Sequence, residues 1–235
     1  MIVRLHNLSA RVPVLDDLRA VVELMVACEN AEPGISESVE AVEKDVKNTW
    51  QETGFNLKAD AWVIVTNKEQ IVGYADVRQN EDSQLTTVLR VHPAFRGRGI
   101  GTLLLWMVEE RARQLAQNVS GGARVTLHSA LSSLNQLGCS LLERESYTVA
   151  HRFWRIVIEM DEVPPQSSEE FYQRGRLKVD VIVDSQTSVG TMQLQKRTGM
   201  YVVYPYVVYE KELRAAREVP SEDDLLEEEA CPLPV

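Results

Sequence analysis

The 235-residue chain has little cysteine, a shortage of positive charge and no long apolar run. Its three cysteines, Cys28, Cys139 and Cys231, are odd in number and far apart. That spacing excludes a disulfide framework and gives no zinc-ligand pattern, so a reducing cytoplasm is expected and a metal is not. No run of roughly 18 apolar residues occurs, so no spanning helix and no membrane partner are expected. The opening Met1-Ile2-Val3-Arg4-Leu5-His6 has no apolar h-region behind its charge and does not read as a signal peptide. The net charge is −10, yet Glu218 to Val235 alone hold seven acids and no Lys or Arg. The remaining body therefore carries −10 + 7 = −3. Nothing basic enough for nucleic acid is present. The segment 215–235 reads as an acidic tail, solvated and solubilising, or else as a docking segment helical near Leu225 and Leu226.

What the chain does have is glycine in one place. Arg96-Gly97-Arg98-Gly99-Ile100-Gly101-Thr102 stands between a strand-like run, Leu85 to Val91, and an amphipathic run, Ile100 to Asn118. Glycines at a strand-to-helix junction let backbone approach a ligand closely. The first helical turn presents unpaired N–H groups and the positive end of the helix dipole, which suits an anion such as phosphate. A P-loop needs Lys after its last glycine, and none follows Gly101. A dinucleotide fingerprint needs G-x-G-x-x-G in the first βα unit, and both the spacing and the mid-chain position differ.

The pattern that fits is R-x-x-G-x-G, preceded by Val91-x-Pro93 and followed by Leu103-Leu104-Leu105. It resembles the acyl-CoA-binding motif of the Gcn5-related N-acetyltransferase (GNAT) superfamily. The flanking order agrees. Asp16 and Asp17 open a helix with Leu18, Val21, Val22 and Met25 at helical spacing, and a second runs from about Ser38 to Trp50. Ile2 to Leu5 reads as a strand, and Ala61 to Thr66 with Ile71 to Val77 as a hairpin. The helix after the motif sets Leu104, Val108 and Ala112 on one face and Glu109, Glu110 and Arg113 on the other. Val125 to His128 is a strand, Leu134 to Arg144 a helix, and Tyr147 to Met160 a pair of strands. The fold class is α/β (α+β): a mixed, mostly antiparallel sheet flanked by helices.

An internal match adds a second feature. Leu141 to Tyr147 aligns with Leu194 to Met200, and the alignment continues without gaps to Leu213. It resembles tandem members of the superfamily with a truncated second copy (β-α-β-β). The expected organisation is a complete domain over 1–162, a linker over 163–175, a partial repeat over 176–214 and the tail. The partial unit is too small to hold its own core and should pack on the first domain or on the other chain of a homodimer.

The resemblance implies acetyl-CoA as co-substrate and transfer of its acetyl group to a primary amine, on a small molecule, a peptide N-terminus or a Lys. It assigns the thioester carbonyl to backbone N–H groups near Leu89 to Val91. It assigns the pyrophosphate to amides of Gly97, Arg98, Gly99, Ile100, Gly101 and Thr102, with Arg96 adding charge. Asn135, in Asn135-x-x-Gly138-x-x-Leu141, would contact the pantetheine arm or cap a helix. The family's Tyr, which protonates the departing thiolate, is replaced by Leu142. Asp76, Glu81 and His128 are weak candidates for a base. The alternative is a CoA-binding or interaction module that has lost catalysis. Trp62, Trp106 and Trp154 read as core, or else as packing of the cofactor cleft, and Cys139 as an inert buried thiol.

Overall fold

The computed structural model describes residues 7–32, 38–80, 83–119, 122–160, 177–184 and 201–215. In chain order these form β1 (Leu8–Arg11), α1 (Leu18–Asn30), α2 (Val39–Gln51), a short α3 (Leu57–Asp60), β2 (Ala61–Thr66), β3 (Ile71–Gln79) and β4 (Gln84–Val91). Then come α4 (Ile100–Asn118), β5 (Val125–Ser132), α5 (Gln136–Arg144), β6 (Thr148–Met160), β7 (Leu177–Asp184) and β8 (Tyr201–Arg214). One eight-stranded sheet runs in the order β1-β2-β3-β4-β5-β8-β6-β7. Every neighbouring pair is antiparallel except β4 and β5. The mixed, mostly antiparallel sheet expected from the sequence is therefore the sheet observed.

Alternation along the strands builds two cores, one on each face of the sheet. On β2, Val63 and Val65 turn to α1 and α2, joining Val21, Met25, Val46 and Trp50. Ile64, between them, turns the other way to α4, joining Ile100, Leu104, Leu105 and Val108. Gly73 is small because α4 lies on it: a Cβ there would sit 2.9 Å from Ile100 Cγ2. Ser38 caps α2 by accepting from the Ala41 N–H. The core tryptophan is Trp50, whose indole donates to the Tyr74 hydroxyl at 3.0 Å. Trp106 and Trp154, read as core, are instead 41% and 36% exposed. Trp106 spends its indole N–H on Glu145.

The C-terminal half departs from the sequence reading. Tyr147 to Met160 holds one strand, β6, and not a pair. The segment contains no Gly, Pro, Asn or other turn signal, and its irregularities are register shifts at Val149/His151 and Arg155/Ile156. Hydrogen bonding threads β8, from the expected partial repeat over 176–214, between β5 and β6, so residues 201–214 join the same sheet. The expected strand at Ile2 to Leu5, the linker, the helix of the repeat and the tail beyond residue 215 lie outside the described residues. No described helix is long and apolar enough to cross a membrane.

Candidate active site

β4 and β5 pair in parallel only from Gln84↔Thr126 to Thr87↔Ser129. Beyond that point β4 stays on β3 as far as Val91, while β5 stays on β8 as far as Ser132. The two strands therefore splay, and a V opens in the middle of the sheet. A cavity of about 320 Å³ fills the V. It is lined on the α4 side by Gly97, Thr102, Asn135, Leu141 and Arg144, and on the α1 side by Cys28, Glu29, Glu32 and Arg90. Because α1 and α4 cover opposite faces, the cavity passes through the sheet.

The edge of β4 inside the V carries free amides, for a reason of strand geometry. The His92 N–H donates to Val72 O at 2.9 Å and the Val88 N–H to Asp76 Oδ1 at 3.3 Å, both toward β3. Successive N–H groups alternate edges, so those of Leu89 and Val91 point into the V. The carbonyls on that edge are covered: Val91 O accepts from Cys28 Sγ and from Arg96 Nε, each at 3.3 Å.

The glycine-rich turn closes the α4 end. Gly97 and Gly99 have φ of 77° and 85°, the left-handed region that penalises side chains. Gly99 caps α4, and the Leu103 N–H is the first to find a helical acceptor, on Gly99 O at 3.0 Å. The N–H groups of Ile100, Gly101 and Thr102 are left without intrahelical partners. Gly101 is the contact point with α5: a Cβ there would meet Leu141 Cδ2 at 3.0 Å. This cradle of unpaired amides, with no side chain in the way, fits a diphosphate.

Cations border it. Arg96 pairs with Glu32 at 3.3 Å across the mouth of the V. Arg98 lies with its guanidinium 4.7 Å from the Phe95 ring. Arg144, on the last turn of α5, donates to Thr102 Oγ1 at 2.9 Å and so holds a guanidinium against the first turn of α4. Sequence reasoning missed Arg144. No local signal marks it: a cation 42 residues after the loop threonine becomes a neighbour only once α5 packs on α4. Thr102 accepts this bond and keeps its hydroxyl proton for a ligand.

Asn135 does both things allowed for it. Its Oδ1 accepts from the Gly138 N–H at 3.0 Å, capping α5, and the residue also lines the cavity. Leu142 is buried and apolar and also lines the cavity. Ser129, at the vertex of the V, is a hydroxyl facing the same space.

Of the base candidates, Asp76 and His128 are not among the residues that line the cavity. Asp76 is buried under Val88, accepting from the Tyr74 hydroxyl at 2.9 Å and standing 3.4 Å from Arg78 Nε. Burial raises its pKa, although Arg78 and the hydrogen bonds oppose that. His128 shares a 2.9 Å hydrogen bond with Thr126 Oγ1 and lies 3.6 Å from Glu210. Burial pushes its imidazole below the usual range, against the pull of Glu210. Glu81 lies outside the described residues. Cys28 is buried, and desolvation pushes its thiol up. Cys139 is half-buried, and desolvation raises its thiol too.

Among the described residues the sheet splits at its one parallel pair, with an amide cradle at one end of the gap, a shape that suits an extended phosphorylated ligand. Residues 25–138 match the model of the Acetyltransferase (GNAT) family. The fold agrees with a GCN5-related N-acetyltransferase from Sphaerobacter thermophilus (TM-score 0.73, 21% identity, 91% of this chain and 98% of that one). It is also similar to a GNAT superfamily phosphinothricin acetyltransferase from Sinorhizobium meliloti in complex with acetyl-CoA (TM-score 0.54, 14% identity, 92% and 95%). A third similar structure is the ribosomal-protein-S18-alanine N-acetyltransferase from Escherichia coli (TM-score 0.50, 13% identity, 90% and 97%). No curated protein matches the chain.

Proposed function

We propose that this protein transfers the acetyl group of acetyl-CoA directly to a primary amine. The observation that carries the reading is the cavity that joins the amide cradle to the opposite face of the sheet through the V. In this reading the amides of Ile100, Gly101 and Thr102 bind the pyrophosphate, and Arg96 and Arg144 add charge. The pantetheine arm follows the open edge of β4, with the Asn135 amide as a further donor. The Leu89 N–H then stands where negative charge develops on the thioester oxygen.

The amine nitrogen attacks the carbonyl carbon, the C–S bond breaks, and CoA leaves as thiolate. The nitrogen gives up its proton through water, to solvent or to the carboxylates Glu29 and Glu32 of the cavity wall. No tyrosine stands at position 142 to protonate the sulfur. A CoA thiol is acidic enough to depart with hydrogen bonding alone, and the Ser129 hydroxyl faces that point.

Leu142 also supports a second reading, a CoA-binding module without turnover. Purified protein with acetyl-CoA and a panel of amines, followed by thiol release, separates the two. Amine-dependent release supports the transferase. Calorimetric binding of CoA with no release across the panel supports the module. Absence of CoA binding removes both.

A further inference from the structure

The cavity has a second end, on the face of the sheet away from α4, and the residues there are of a particular kind. Thr86, Val88 and Arg90 of β4 share this face, since Leu85, Leu89 and Val91 turn to the α4 core. On β5 the same alternation sets Ala130 and Ser132 on it, and on β8 Val208 and Tyr206, since Val207 and Tyr209 belong to the α4 core. Ser132 and Tyr206 are directly opposed in the ladder. Small residues thus form a floor between two larger walls, Arg90 on one side and Tyr206 on the other, and all four line the cavity. Tyr206 is braced by Phe153, with ring centroids 5.3 Å apart and planes 10° from parallel.

The three arginines that line this cavity differ in how their charge is met. Arg96 has Glu32, and Arg144 has Glu145. Arg90 donates Nη1 to Leu89 O at 3.1 Å and forms no ion pair with a described carboxylate. A guanidinium has five N–H donors in a planar fork, and most of this one's are uncommitted in a half-buried site.

We propose that the acceptor is an amino acid, an amine with a carboxylate a few bonds away, and that Arg90 binds the carboxylate. The proposal rests on the acetyl-transfer reading and names its acceptor. The short separation follows from the chain itself: Arg90 adjoins Leu89, whose N–H faces the thioester carbonyl. An amine poised to attack there has its carboxylate within reach of Arg90. The Tyr206–Phe153 pair forms the wall for an apolar side chain.

The test uses the full chain, acetyl-CoA, and a set of small apolar amino acids beside their carboxamides and their decarboxylated amines. The expected result is a kcat/KM for the amino acid about 30-fold or more above its amide. Arg90→Gln should abolish that preference through the acceptor KM, Arg90→Lys should restore part of it, and the KM for acetyl-CoA should stay put. Equal use of acids, amides and amines overturns the proposal, as does an equal loss for all three in Arg90→Gln. If no amine turns over, the transfer reading has failed, and the carboxylate site is tested separately by calorimetry. N-acetylphenylalanine and its amide are titrated into CoA-saturated protein. Binding of the acid alone, lost in Arg90→Gln, upholds the Arg90 site, and no preference overturns it.

Discussion

Single residues decide what this cleft can hold. Arg144 touches Thr102 from another helix, so its charge is fixed over the first turn of α4 and not left to wander in solvent. Arg144→Gln is expected to weaken CoA binding about 10-fold by calorimetry, with a shallower dependence on salt. Asp76 shows the opposite case, a carboxyl made costly to ionise. Its pKa is raised by burial, so the folded state holds the proton over a range where the unfolded state has lost it. The contribution of this group to stability is greatest below the unfolded carboxyl pKa and is lost as pH rises through the folded value. Asp76→Asn removes that slope. Urea unfolding from acid to neutral pH should therefore show the variant gaining on the wild type as pH rises, and a constant difference would contradict it. The glycine loop was legible in the sequence because backbone constraints are local: Gly97 and Gly99 announce their φ by being glycine. Arg90, Arg144 and Ser129 were not, because a charge or hydroxyl on a strand or helix says nothing about which face is turned to a gap until the register is known. Asp76 and His128 share that limit. An acid on a strand reads alike whether it faces solvent or, like Asp76, a buried tyrosine.

At the scale of elements, β8 matters most. Its neighbours β5 and β6 are separated by residues 133–147, and β8, far later in the chain, bonds to both. Lys211 on β8 reaches Glu109 on α4 at 2.7 Å, where Arg113 also meets it at 2.8 Å. Helical periodicity had put Glu109 on the outward face. It is 4% exposed because β8 and the segment after α5 cover that side. Tyr209, also on β8, donates to Glu143 on α5 at 2.7 Å. A chain ending at residue 162 would expose the edges of β5 and β6 and leave Glu109 without its lysine. Such a truncation is expected to lose cooperative melting and to aggregate. A monomeric, CoA-binding fragment with a sharp thermal transition would contradict the role given to β8. The long helices and strands β2 to β5 were readable because their apolar spacing is strong and their turns carry Asn, Gly or Ser, whereas β1 at Leu8–Arg11 and the short α3 were not. The strand order of the C-terminal half was not, because inserting one strand between two others leaves no mark on periodicity.

For the molecule as a whole, the sheet is a partition with a slot in it. Helices α1 and α2 stand on one side and α4 and α5 on the other, and the slot between β4 and β5 joins them. For a transferase of the proposed kind, the nucleotide would arrive from one hemisphere and the amine from the other. Neither would obstruct the doorway of its partner, so both can be aboard at once and in either order. Initial-rate plots should then intersect and not run parallel, and an amine tethered covalently to CoA should bind more tightly than either half, since a single compound would occupy both antechambers.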